Sequence, residues 1–286
     1  MSLFSRLFGK RTPAVSGPSQ PSVDRLASIR PQVDALRVPA IGLFGGPSTG
    51  FSQLGGLPSV PAGFDWPLWK SKPLSFVAQI DLSEAHDERL PNSGFLYFFI
   101  DQDQETWGMD HEDKGSWRVY YVDAARSDLI EAEAPKGLPK TAIFKRKLVE
   151  LKSIFVYPCF DDPGVESLDL DDETGDAYSV LNFAAFGGKP SHQLLGVPDP
   201  VQNGDMEVEC ELALRGVKLS YRDARYDPSN AKVLAQAREW KLLLQVDSDD
   251  DTGFMWGDGG QIYFWIRESD LAARNFDDVW MVLQCH

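Results

Sequence analysis

A chain of 286 residues with 43% hydrophobic and 25% charged residues has enough apolar material for one large core or two modest ones. Its net charge of −15 excludes the basic footprint that general nucleic-acid binding needs, and fits either plain solubility or a basic partner. Three widely separated cysteines, Cys159, Cys210 and Cys285, offer neither a disulfide framework nor a C-x-x-C zinc pattern, and no apolar run approaches the ~20 residues of a membrane-spanning helix.

The chain starts with a basic, apolar segment, Ser2–Arg11, that lacks the apolar centre and cleavage site of a signal peptide. With the Pro/Ser-rich stretch after it, residues 1–22 read as a flexible tail, and 23–286 as a single domain. Leu26, Ile29, Val33 and Leu36 recur at helical spacing, with Pro31 set to break or restart the helix. Val38–Gly46 is a strand candidate. Gly/Pro-rich turns occupy the fifties and sixties. Leu74–Leu82, Phe95–Asp101 and Trp117–Val122 are short apolar runs between breakers, and so predict strands. Ala142–Tyr157 is a longer β-rich run with Lys145, Arg146 and Lys147 in its middle. Asp161–Asp176 reads as a solvated acidic loop, and Ala177–Phe186 as a buried helix. Met206–Leu214 alternates apolar residues with Glu207, Glu209 and Glu211, which predicts a half-buried strand. Asp227 and Pro228 cap a helix that runs to about Trp240. Leu242–Val246 and Gln261–Ile266 are strands, Glu268–Arg274 is a short helix, and Val279–Gln284 is a closing strand.

Two patterns recur within this series. Gln79-Ile80-Asp81 followed by Gly94-Phe95-Leu96-Tyr97-Phe98 returns as Gln245-Val246-Asp247 followed by Gly260-Gln261-Ile262-Tyr263-Phe264. The offset is 166 positions throughout, as 79 to 245, 94 to 260 and 97 to 263. Gln53-Leu54-Gly55-Gly56-Leu57-Pro58 returns as Gln193-Leu194-Leu195-Gly196-Val197-Pro198, 140 positions on (53 to 193). The repetition predicts two related halves, about 50–101 and about 190–267, packed about a pseudo-two-fold axis. The fold class expected is therefore α+β and β-rich, built of antiparallel strands with peripheral helices.

Residues able to carry chemistry are few. Asp247, Asp249, Asp251 and Asp258 have the spacing of hard-cation ligands in a calcium loop. The glycine, however, falls one place late, the last acid is Asp, and strands flank it, so a solvated acidic turn is the better reading. Gln79 and Gln245 are amides inside apolar strands and need partners, either backbone at the seam or each other. With His192, Trp256 and Asp258 they form a candidate ligand site between the repeats. No nucleophile elbow, P-loop or dinucleotide fingerprint is present, so neither a catalytic residue nor a cofactor is expected.

The motifs Leu242–Asp250, Phe254–Ile266 and Asn275–Cys285 resemble the YwqG-like family of bacterial proteins, a domain of unknown function, as do the blocks at 54–58, 75–81 and 194–200. The resemblance spans roughly residues 30–285 and brings no agreed activity. Some members lie near toxin–immunity genes, which implies a binding role. The reading that follows is a cytoplasmic interaction protein for a basic protein partner, with an immunity-type role as its most specific form. A small-ligand binder or an uncharacterised enzyme with its site between the repeats is the alternative.

Overall fold

The computed structural model describes residues 21–46, 49–217 and 231–286. The tail and the Asp227–Pro228 cap lie outside the described residues, apart from Pro21 and Ser22 at the start of the first helix. Ten strands form one antiparallel sheet. They are β1 (Val38–Gly45), β2 (Gln53–Leu54), β3 (Ser75–Asp81), β4 (Phe95–Ile100), β5 (Trp117–Val122), β6 (Lys147–Val156), β7 (Gln193–Leu194), β8 (Trp240–Asp247), β9 (Gln261–Arg267) and β10 (Trp280–Gln284). Their spatial order is β10-β9-β8-β7-β1-β6-β2-β3-β4-β5. Advancing every strand of the first half by five turns this order into its own reverse, as a two-fold axis requires.

The registers repeat with the order. Ala78, Gln79, Ile80 and Asp81 face Phe98, Tyr97, Leu96 and Phe95. Leu244, Gln245, Val246 and Asp247 face Phe264, Tyr263, Ile262 and Gln261. Both pairs shift register at the same place, between Phe76 and Ala78 and between Leu242 and Leu244. The carbonyls of the two bulged residues, Val77 and Leu243, accept hydrogen bonds from Gly55 N–H and Leu195 N–H.

The axis can be placed from the pairing alone. Ile41 of β1 faces Leu194 and Lys147 of β6 faces Leu54, so β1 and β6 are equivalents 106 positions apart (41 to 147). Within the β1–β6 pair Phe44 faces Glu150, its own equivalent, and the axis passes between them. Each half thus lends its first strand to the other, since β1 lies beside β7 and β6 beside β2. The seam is a continuous strand pair from Val38 to Gly45, not an open cleft.

The sheet curls until it is nearly closed into a barrel. Phe98 and Phe264, 166 positions apart, meet edge-to-face at 5.0 Å inside it. At its ends Trp117 and Trp280 meet at 4.9 Å, Trp117 Nε1 donates to the Val279 carbonyl, and Trp280 Nε1 donates to the Gly108 carbonyl.

Helices α1 (Pro21–Asp24), α2 (Arg30–Ala35), α3 (Pro163–Glu166), α4 (Asp172–Ser179) and α5 (Leu181–Ala185) are followed by α6 (Met206–Leu214), α7 (Ala231–Ala237) and α8 (Glu268–Ala272). The first five build a side layer around Leu26, Val33, Tyr157, Tyr178 and Leu181. Pro31 restarts the helix at α2, as its fixed φ allows in a first turn. Among the described residues no helix is long and apolar enough to cross a membrane.

Two sequence expectations are overturned. Met206–Leu214 is helix α6, not a strand. Its Met, Glu, Leu and Ala residues favour helix, and its glutamates do not line a solvent face. Glu211 is buried and bonds Arg215, Arg267 and the Trp240 indole N–H, while burial pushes the Glu209 carboxyl up to about 7. Asp161–Asp176 is not a plain loop either. Asp162 and Asp171 accept from the N–H groups of Gly164 and Thr174 and start α3 and α4.

The repeated glutamines are the polar frame of this core. Gln79 Oε1 accepts from Ser59 N–H at 2.7 Å, and its Nε2 donates to the Phe51 carbonyl at 2.9 Å. Gln245 does the same with Asp199 N–H at 2.9 Å and the Ser191 carbonyl at 2.8 Å. Tyr97 and Tyr263 donate their hydroxyls to the carbonyls of Ser59 and Asp199. We expect Gln245→Leu and Gln79→Leu each to cost about 2–4 kcal/mol, because each strands two buried backbone groups. The two losses should add within about 0.5 kcal/mol, since the side chains share no partner. Urea denaturation of the two single variants and the double variant measures this, and strong coupling between them would contradict it.

Candidate functional site

The polar residues singled out in the sequence separate into two kinds. Gln79 and Gln245 are buried in different strands, and each serves its own half. Trp256 is fully buried, stacked on Phe254 at 4.9 Å and edge-on to Phe144 at 5.6 Å. Asp258 is exposed between Gly257 and Gly259, both at positive φ, and makes no hydrogen bond or ion pair among the described residues. His192, Asp247, Asp249 and Asp251 do come together.

His192 is the structural equivalent of Ser52. Asp81 N–H donates to Ser52 Oγ at 3.0 Å, and Asp247 N–H donates to His192 Nδ1 at 3.1 Å. An Nδ1 that accepts leaves the ring proton on Nε2, which points at Asp249 Oδ2, 3.3 Å away. Lys147 Nζ donates to the same Asp249 oxygen at 2.6 Å and lies 3.0 Å from Asp251 Oδ2. Asp249 also holds its own turn. Its Oδ1 accepts from Asp251 N–H, and its carbonyl accepts from the N–H groups of Thr252, Gly253 and Phe254. The turn is tied to the other half by Lys145 N–H, which donates to the Thr252 carbonyl. Asp247 turns elsewhere, its Oδ2 accepting from Ser191 N–H.

The electrostatics follow from burial. Burial alone would raise the Asp249 carboxyl, but the bonds from His192 and Lys147 outweigh it and hold it well below the usual carboxylate range. Burial would lower the Lys147 ammonium, and its bonds to Asp249 and Asp251 leave it raised instead. Burial raises the Asp247 carboxyl. Among the described residues no group of three or more His, Cys, Asp or Glu side chains is placed to hold a metal ion. The acids of the turn spend their oxygens on backbone N–H groups, His192 and Lys147.

Two surface features stand out. At the end of the β1–β6 pair Arg146, Lys147 and Lys189 line a pocket of about 430 Å³ with Asp251 at its edge. The run Lys145-Arg146-Lys147 inside a β-rich segment was its one signal in the sequence. Lys189 gave none, since it is brought there only by the fold. On the helical side α3 and α4 flank a groove of about 520 Å³. Glu166, Asp169, Asp171, Asp172 and Asp176 line it with the apolar Phe160, Val165 and Leu170, and among the described residues no basic one does.

The fold is thus a near-closed antiparallel barrel of two intertwined halves, with an acidic groove and a basic pocket among its surface features. The chain belongs to the family described as domain of unknown function DUF1963, whose model matches residues 52–285. A comparison with curated proteins finds no match.

The Asp249 pair gives a test in acid. A carboxyl held low in the folded state stabilises the protein above its unfolded pKa, about 4, and that stability is lost as pH falls through the folded value. We expect Asp249→Asn to cost about 3 kcal/mol at pH 7, since it leaves Lys147 poorly paired. The variant should also lose less stability than the wild type between about pH 4 and pH 2. Melting temperatures across that range check both, and parallel wild-type and variant curves would contradict the assignment.

Proposed function

We propose that this protein works by binding, and that it receives a basic segment of a partner protein in the acidic groove on its helical side. The groove's composition carries this reading. Five of its lining residues are carboxylates, no described cation lines it with them, and Phe160, Val165 and Leu170 add apolar surface. Arg and Lys side chains suit such a surface, because their stems pack on apolar atoms while their heads reach the carboxylates. Phe160, 47% exposed, offers a ring face to a guanidinium. Asp172, Asp176 and Glu166 make no ion pair among the described residues and keep their charge for a partner. The net charge of −15 extends the attraction over distance and speeds encounter. The resemblance to the YwqG-like family supports the same class, and an immunity-type role against a basic toxin is its sharpest form. The carboxylates would then stand where a nuclease grips phosphates.

The test is capture of partners from the source organism at low and high salt, followed by titration of the captured protein. Charge reversal at Asp172 and Asp176 to Lys is expected to weaken binding by at least about tenfold and to flatten its salt dependence. Failure to retain any basic protein at low salt, or equal binding by the reversed variant, would remove the basis for this reading.

A further inference from the structure

The two halves share their buried glutamines and tyrosines and differ in the charged residues at the ends of their sheets. Gln53 and Gln193, Gln79 and Gln245, and Tyr97 and Tyr263 keep both identity and bonding. The equivalents of Lys147, Asp249, His192 and Asp251 are Ile41, Ser83, Ser52 and Ala85. The equivalent turn of the first half has a different network, in which Arg126 pairs with the buried Asp81 and with Glu84, so the Lys147, Asp249 and His192 arrangement is particular to the second half. What sets the second half apart is that its cation, Lys147, comes from a strand beside the axis and lines a pocket with Arg146 and Lys189.

We propose that this pocket binds a small oxyanion, a carboxylate or phosphate group, through Lys189, Lys147 and Arg146, with the Asp251 carboxylate holding the place of the ligand until it arrives. Lys147 is positioned for this. Its side chain is only 17% exposed and is held by Asp249, itself fixed by His192 and by its own turn. It crosses β1 at Gly45, where a Cβ would lie 2.4 Å from Lys147 Cε, so glycine is what lets the lysine pass. Asp249 takes up one face of the ammonium. The other contact, at 3.0 Å, is Asp251, whose side chain is 76% exposed and free to swing out. When it does, Lys147 has an N–H to offer at the pocket mouth. Lys189 is exposed, lines the same pocket and makes no ion pair among the described residues. Arg146 borders it from the next position, bonded through one nitrogen to the Leu57 carbonyl and Glu131, which leaves other donors of the guanidinium fork free. Three cations converging in a pocket of about 430 Å³, on a chain of net charge −15, are a local reversal of the protein's field. Phosphate and carboxylate share the geometry that such donors recognise.

Titration of the full chain with inorganic phosphate, and separately with succinate, tests this by following the lysine side-chain NMR signals and the melting temperature. We expect millimolar binding of at least one anion, with Lys147 and Lys189 shifting together. Asp251→Asn should tighten it about tenfold, because the variant removes a resident competitor that keeps the binding-competent state scarce. Lys189→Glu should weaken it about tenfold with an unchanged melting temperature, as expected for an exposed residue outside the core. Binding of phosphate alone would assign the site to phosphate groups, and of succinate alone to carboxylates. The proposal is overturned if neither anion binds wild type or Asp251→Asn, or if Lys189→Glu binds as tightly as wild type.

Discussion

The pairing of β1 with β6 across the pseudo-two-fold axis is the constraint from which the rest of the structure follows. Each of these strands belongs by sequence to one half and by position to the other. With the first strands exchanged, neither half can finish its sheet alone, because β2 and β7 are two residues long and would be left as edges. The exchange also brings the backbones close. A Cβ on Gly56 would lie 2.8 Å from Arg146 Cβ, and one on Gly196 would lie 2.7 Å from Ala40 Cβ, so both turns need glycine at the same structural position. Halves joined this way meet along a continuous strand pair, and the basic pocket and the acidic groove lie at the end of that seam and on the added helices.

That geometry divides the polar residues by role. Buried amides at equivalent positions close hydrogen bonds that the exchanged strands cannot make for the short segments beside them. Their burial and their partners explain them fully, and no ligand is needed to account for Gln79 or Gln245. The charged residues at one pole are different. A buried pair between Lys147 and Asp249 costs desolvation that the equivalent residues, Ile41 and Ser83, do not incur. The acidic groove lies on the side layer formed by α1 to α5, outside the repeated strands. Both surface features therefore sit where the chain departs from its own symmetry.

Much of the barrel was legible in the sequence because it was written twice. The gapless 166-residue offset carried the register of β3–β4 and β8–β9 down to the bulge, and breakers bounded most of the other strands correctly. The helix α6 was not legible as one. Period-two alternation assumes that charged residues face water, and Glu211 instead finds two arginines and an indole N–H inside the protein. The acidic segment 161–176 concealed two short helices because its aspartates act as caps, a use of charge that composition does not disclose. The candidate site was half legible. His192 and the aspartates of the turn were visible as a cluster, while their cation, Lys147, lies 102 positions away from Asp249 and meets it only through strand exchange.

Native-state hydrogen exchange, read residue by residue, tests the claim that strand exchange welds the halves into one unit. The amides of Leu43 and Val149 donate to His192 and Ser52 across the exchanged junctions. If the exchanged strands hold both halves together, these two amides and those of β4 and β9 exchange only through global unfolding, with one shared free energy. If one half opens at a distinctly lower free energy while the other stays protected, the halves are separate folding units and the account is wrong.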